Sequence, residues 1–120
     1  MKWSDGEPLV AADVVTSFAL QKEIRGGFDY VANVTAVDDL TVRFDFSTPF
    51  SPALLDIGQQ IVAPSHIWDD VDDPTKFANE NPVGTGPYTE VANFQAQSFD
   101  LLRNPNYWQP EKQKIEGIRM

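Results

Sequence analysis

Ser65 and His66 are neighbouring residues whose side chains could serve as a nucleophile and its general base. A nucleophilic serine needs its base within hydrogen-bonding reach and donors that stabilise an oxyanion. Adjacent residues on a helical turn point in different directions, and the chain has no G-x-S-x-G elbow. A free-standing small acidic hydrolase centred on this pair is therefore one hypothesis, whereas the local sequence favours a helix-capping serine and a surface histidine.

An acidic run, Asp69, Asp70, Asp72 and Asp73, offers the oxygen ligands that Ca²⁺ prefers. The run lacks the central glycine and terminal glutamate of an EF-hand loop, so it is more typical of a solvated acidic loop. The chain has no cysteine and a single histidine, which excludes zinc sites and thiol catalysis. The sequence therefore predicts neither a metal nor a cofactor.

The segment GTGP, residues 84–87, has the glycine spacing with which a nucleotide-binding loop begins. Such a loop needs a third glycine where this chain has Thr89, and Pro87 removes one of the amide donors. The following residues, Tyr88 to Val91, have the pattern of a strand rather than a helix. The segment predicts a tight turn that leads into a strand, in which Gly86 needs a positive φ or a close backbone approach.

Aromatic residues are numerous, with eight Phe, three Tyr and three Trp, and they must be divided between core and surface. Four of them lie on faces with apolar periodicity and are predicted to be core residues: Phe18, Phe44, Phe46 and Phe99. Phe28, Tyr30 and Phe50 lie in or beside loops, where a ring can present a flat wall to a ligand. We therefore expect these three to be ligand-binding residues.

The composition limits the class of protein. Eighteen acidic and nine basic residues give a net charge of −9, which repels nucleic acid and anionic lipid. The chain is 120 residues long and 42% hydrophobic, so it is expected to fold around a single core. It contains no apolar run of membrane-spanning length and does not begin with a signal peptide, so we expect no membrane insertion by this chain.

The hydrophobic periodicity predicts an α+β chain with a small mixed sheet and a few helices. No repeat or linker marks an internal domain boundary. The predicted helices are Ala11 to Arg25, Ala53 to Ile57, a turn from Pro64 to Trp68, and Pro74 to Asn79. The predicted strands are a hairpin from Tyr30 to Val37 and Thr41 to Phe46, then Ile61 to Ala63, Tyr88 to Phe94, Phe99 to Arg103, and Lys114 to Met120.

Five stretches occur in an order and spacing that closely resemble the extracellular solute-binding proteins of family 5, the peptide- and nickel-type binding components of ABC transporters. They read KWSDGEPLVAADVVTSF, VDDLTVRFDFSTPFSP, IVAPSHIWDD, NPVGTGPYTEV and LLRNPNYW. Two positions depart from the family's pattern. Val10 replaces a threonine that would cap the first helix, and Ser65 replaces a lysine. The resemblance nevertheless covers nearly the whole chain.

The resemblance implies a two-lobed, periplasmic-binding-protein-like fold of class II, in which residues 1–120 form the smaller subdomain of the first lobe plus its return strands. Both ends of the chain read as strands that are cut, which is expected for a fragment. The implied protein is not an enzyme. It captures a peptide or similar small solute outside the cytoplasmic membrane and delivers it to ABC permease subunits. Besides the hydrolase, a structural interaction module stays open as an alternative.

Overall fold

The computed structural model describes all 120 residues, and the chain divides into two compact units. Val10–Phe77 form the first, here called the hairpin unit, and Met1–Leu9 with Ala78–Met120 form the second, the three-stranded unit. No composition shift marks this division in the sequence. The elements are α1 (Ala11–Ile24), β1 (Val31–Asp38), β2 (Thr41–Phe46), α2 (Ala53–Gly58), α3 (Ser65–Trp68), β3 (Tyr88–Gln95), β4 (Ser98–Arg103), a 3₁₀ turn (Pro110–Lys112) and β5 (Gly117–Arg119).

The α+β class is confirmed, and the strands form two separate antiparallel sheets, β1-β2 and β3-β4-β5. Helix α1 packs against both strands of the hairpin and against α3. Phe18 is 8% exposed and lies on the buried side of α1. Its ring meets Phe44 of β2 edge to face, with 5.0 Å between centroids, an arrangement that aromatic pairs prefer.

Helix α1 begins without a capping hydroxyl, because its N-cap residue is Val10. The Asp13 carboxylate accepts the Val10 N–H at 2.8 Å, which is the half of a capping box that the third helical residue supplies. The helix ends where the chain enters the left-handed region at Gly26 and Gly27, with φ of 67° and 92°, a conformation that glycine adopts without strain.

A buried polar network joins α1 to α3. The backbone N–H and the Oγ of Ser65 both donate to Asp13 Oδ1, at 2.8 and 2.7 Å, and the Asp13 side chain is 1% exposed. One turn along α1, the Ser17 Oγ accepts the N–H of Ala63 at 2.8 Å. The predicted strand from Ile61 to Ala63 is therefore wrong, because its last amide pairs with a side chain rather than with a strand.

The predicted helix from Pro74 to Asn79 is also wrong. The Asp73 carboxylate accepts the Thr75 N–H at 3.0 Å and pairs with Lys76 Nζ at 2.6 Å, which closes a turn over residues 74–76. Asn79 then has a φ of 45°. An Asx-type turn and a left-handed residue together prevent the helix from continuing.

The three-stranded unit encloses Trp3, which is 2% exposed, and Asn104, which is fully buried. Asn104 Nδ2 donates to the Gly86 carbonyl at 2.9 Å, and Gln113 Nε2 donates to the Pro87 carbonyl at 2.6 Å. These side chains satisfy the carbonyls of the turn that leads into β3. The last strand is shorter than predicted, since the Ile115 carbonyl accepts Arg103 Nε at 2.6 Å instead of a strand amide.

Candidate functional site

The three residues predicted to bind ligand come together in the hairpin unit. The Tyr30 ring lies 5.9 Å from Phe28 and 4.2 Å from Phe50, measured between centroids. The rings of Phe18 and Phe46 extend the group, at 5.1 Å from Phe28 and 6.0 Å from Tyr30. We call these five rings the aromatic cluster.

The base of the hairpin positions the aromatic cluster. Val31 pairs with Phe46 across the strands, and the Ser47 N–H donates to the Tyr30 carbonyl at 2.9 Å. Tyr30 therefore lies directly before β1 and opposite the end of β2, and the loop after β2 returns Phe50 to it. Phe46 was predicted to be a core residue, but it is 47% exposed, because the two-stranded sheet has no further layer over this residue. Phe44 and Phe99 are half-buried.

Asp56 of α2 is the charged group of the aromatic cluster. Its Oδ2 accepts the Tyr30 hydroxyl at 2.6 Å. Desolvation of the hydroxyl and the hydrogen bond and negative charge of Asp56 raise the pKa of Tyr30 to about 12. The phenol is therefore a hydrogen-bond donor at neutral pH. Asp56 was not predicted, since nothing in its local sequence separates it from other surface carboxylates.

Two grooves flank the aromatic cluster. The edge groove, of about 200 Å³, lies between α1 and β1 and includes Phe28. The helix groove, of about 450 Å³, lies between β2 and α2 and includes Phe46 and Phe50. Leu54 of α2 also lines it and is 87% exposed. Both grooves are mostly apolar, which suits the apolar parts of a small ligand.

Ser65 and His66 do not form a catalytic pair. The Ser65 hydroxyl donates to the buried Asp13 carboxylate, so it is a structural anchor for α3 rather than an activated nucleophile. Nothing in the structure supports the hydrolase alternative.

The acidic run is a hydrogen-bonded surface segment. The Thr16 hydroxyl donates to Asp69 at 2.7 Å, and Lys76 and Thr75 hold the pKa of Asp73 below its ordinary value. No group of three or more His, Cys, Asp or Glu residues is arranged to hold a metal ion.

No helix combines the length and apolar character needed to cross a bilayer.

The GTGP segment is a turn in which both backbone polar groups of Gly84 bond to Ser4. The Gly84 N–H donates to Ser4 Oγ at 3.2 Å, and the Gly84 carbonyl accepts the Ser4 N–H at 2.9 Å. The expectation for Gly86 is wrong, because its φ is not positive and a Cβ there would meet only the Thr89 methyl group, at 3.9 Å. The close approach occurs at Gly84, where a Cβ would lie 3.1 Å from that methyl group.

Comparison with known proteins identifies the relatives of this chain. The family described as "bacterial extracellular solute-binding proteins, family 5 Middle" matches residues 1–120. Protein XP55 of Streptomyces lividans is 34% identical over 125 residues, which cover 100% of this chain and 23% of that protein. The probable D,D-dipeptide-binding periplasmic protein DdpA of Escherichia coli K12 is 32% identical over 114 residues, covering 88% of this chain and 22% of that protein.

A solved structure shares the fold. The periplasmic oligopeptide-binding protein of Thermotoga maritima, crystallised with mannohexaose bound, superimposes with a TM-score of 0.81 at 30% identity. The superposition covers 99% of this chain and 24% of that chain. The chain therefore spans about a quarter of the length of the relatives that it matches.

Proposed function

Since the chain belongs to the bacterial extracellular solute-binding proteins of family 5, we propose that the protein containing it captures a small solute and delivers it to an ABC permease. The observation that carries the proposal is the family match over the whole of the chain. The protein is a receptor and not an enzyme. Its place of action is outside the cytoplasmic membrane, and its membrane partners are the permease subunits.

The solute class that we propose is a short peptide. Two relatives support this class by name, the D,D-dipeptide-binding protein and the oligopeptide-binding protein. The second of these was crystallised with mannohexaose, so an oligosaccharide belongs among the compounds tested.

Within the protein, we propose that residues 1–120 form the smaller subdomain of the first lobe with its return strands. We further propose that Phe28, Tyr30 and Phe50 contribute a wall of the ligand site. Their clustering supports this role, as does the 40% exposure of Phe50. Rings that are partly open to solvent can bury apolar surface when a ligand binds. Each Å² of apolar surface removed from water contributes a favourable free energy of about 25 cal/mol.

Calorimetry on the intact protein tests the proposal. The titrants are di- to pentapeptides based on alanine, leucine and lysine, with mannohexaose as a separate arm. We expect micromolar or tighter binding of at least one peptide, about −8 kcal/mol or better, and a loss of about tenfold in Phe50→Ala. Phe94→Ala is the matched control, because Phe94 is an aromatic side chain that is 78% exposed and lies in the other unit.

Each unfavourable outcome removes a different part of the proposal. Binding of mannohexaose alone would replace the peptide class with an oligosaccharide class. Absence of binding to every compound would contradict the receptor function. Equal affinities of the wild type and Phe50→Ala would remove Phe50 from the ligand site without affecting the function.

A further inference from the structure

The edge groove runs along an edge of the β1-β2 sheet rather than over one of its faces. Four consecutive residues of β1, numbers 31–34, line it. Successive side chains of a regular strand point to opposite faces, and a groove that contacts four residues in a row is typical of a passage along the strand's edge. The opposite wall of the groove is α1, through Val15, Phe18 and Ala19.

This edge of β1 has no neighbouring strand, because β1 pairs with β2 alone. The register also shifts between Val31 and Asn33, so Ala32 has no partner on β2. A strand edge presents backbone N–H and C=O groups that can pair with another extended chain. Bulges of this kind are common beside binding sites, where they end or redirect pairing.

One end of the groove carries a positive charge. Lys22 lines it, is exposed and takes part in no ion pair, in a chain whose net charge is −9. Lysine in the last turn of a helix also stabilises the helix end, so the experiment must separate these two roles.

Phe28 closes the groove in a strained conformation. Its φ is 57°, which is uncommon for a bulky residue, and it directly follows two left-handed glycines, Gly26 and Gly27. Such strain persists where the surrounding structure holds the residue, and it is concentrated at binding sites. The edge-to-face contact with Phe18 holds the ring in place.

We propose that the edge groove is a subsite for the C-terminal end of an extended peptide. The peptide main chain hydrogen-bonds to the edge of β1, and its terminal carboxylate pairs with Lys22. The groove's volume of about 200 Å³ is below the roughly 300–1,000 Å³ of a pocket that encloses a drug-sized ligand, so it receives only the end of a peptide. The inference rests on the proposed function and names one subsite of it.

Hydrogen exchange on the intact protein tests the main-chain part. The probe is the tightest-binding peptide of the calorimetric set, as a free acid. We expect at least tenfold slower exchange of free-edge amides within residues 32–34 when the peptide is bound, whereas the Val31 N–H already donates to the Phe28 carbonyl at 2.7 Å. The free edge of β3 is the internal control, because β3 is the outer strand of the other sheet and does not line the edge groove.

A double-mutant cycle tests the charge. The probe is compared with its C-terminal amide on the wild type and on Lys22→Met, which keeps the apolar stem and removes the charge. We expect the free acid to lose about three- to tenfold in affinity and the amide to bind both proteins equally, since hydrogen bonds between charged groups are the stronger ones. Lys114→Met is the control, because Lys114 is an exposed lysine outside the groove. This variant should bind both probes as the wild type does.

The outcomes separate this inference from the proposed function. Peptide binding without protection of residues 32–34, or an equal loss of both probes in Lys22→Met, would overturn the subsite and leave the receptor function standing. Equal protection of the β1 and β3 edges would indicate general stiffening and would also overturn it. Absence of any peptide binding in calorimetry would remove the peptide class and the subsite together, and absence of binding to every compound would remove the receptor function as well.

Discussion

At the scale of single residues, backbone conformation separates glycines that look alike in the sequence. Gly6 follows Asp5 in a turn and has a φ of 99°, as the Asp-Gly pair predicts. Gly86 was expected to be special and is not, because the Asn104 amide satisfies its carbonyl and its φ is not positive. A G-x-G-P pattern shows that a turn is present but does not show which of its glycines carries the strain.

Gly6→Ala and Gly86→Ala test this difference. We expect Gly6→Ala to lower the free energy of unfolding by about 1–2 kcal/mol, the cost of a left-handed conformation for a residue with a Cβ. Gly86→Ala should change it by less than about 0.5 kcal/mol, since its Cβ meets no atom closer than 3.9 Å. Urea denaturation of both variants gives the comparison, and a larger loss for Gly86→Ala would contradict it.

Tyr30 has the most perturbed side chain of the aromatic cluster, and its titration can be followed by phenolate absorbance. We expect one of the three tyrosines to titrate near pH 12 and to move towards pH 10 in Asp56→Asn. The folded-state pKa is raised, so the stability contributed by this group is complete below about pH 10 and is lost as the pH rises to about 12. Tyr30→Phe should abolish the late component, and its persistence would assign it to another tyrosine.

At the scale of elements, hydrophobic periodicity predicts α1 and the hairpin, which pack against each other. It does not predict that Asp13 and Ser17 are among the buried residues of α1. The mispredicted segments are those where side chains take over backbone groups. The Ser17 hydroxyl binds the amide of Ala63, and the Asp73 carboxylate closes the turn after it. Side chains that compete in this way for backbone hydrogen bonds, whether from nearby or from far along the chain, leave no periodic pattern in the sequence. The proximity of the rings was predictable in part, because Tyr30 and Phe50 flank a hairpin that brings them together, whereas their role in ligand binding stays a prediction.

The link between α1 and α3 should depend on Asp13. In Asp13→Ala, the N–H of Val10 and both donors of Ser65 lose their acceptor. We expect a loss of about 3 kcal/mol in the free energy of unfolding, because buried unsatisfied groups cost about 1–3 kcal/mol each. Ser65→Ala removes one donor and should cost about 1 kcal/mol. Equal effects of the two substitutions in chemical denaturation would show that the carboxylate is not the centre of the network.

Gly117 sets the contact between β4 and β5. A Cβ on Gly117 would lie 2.9 Å from the Leu101 carbonyl oxygen, so Gly117→Ala must displace backbone and is expected to cost about 1–3 kcal/mol. Gly58, at the end of α2, has no atom within 4 Å of its Cβ position. Gly58→Ala is the control and should be neutral or stabilising by up to about 1 kcal/mol. Thermal denaturation that ranks the two variants in the opposite order would contradict the close approach.

At the scale of the whole molecule, the exposed apolar residues agree with a chain that spans about a quarter of its relatives. Leu40, Leu54 and Ile61 are each more than 85% exposed. The hydrophobic pattern of the sequence identifies these residues as apolar but cannot show that this chain leaves them uncovered.

The last prediction is that the 120-residue chain by itself binds peptides far more weakly than the intact protein. A ligand pocket typically buries about 70–90% of its ligand, and its usual volume is roughly 300–1,000 Å³. The edge groove holds about 200 Å³, and the helix groove is lined by side chains as exposed as Leu54. A micromolar affinity corresponds to a binding free energy of about 8 kcal/mol. If half of that free energy is lost, about 4 kcal/mol remains, which corresponds to millimolar affinity. Calorimetry of the isolated chain with the same di- to pentapeptides should therefore show no heat of binding, whereas the intact protein gives an isotherm. A micromolar isotherm from the chain alone, abolished by Phe28→Ala or Tyr30→Ala, would mean that the aromatic cluster and its grooves form a complete site.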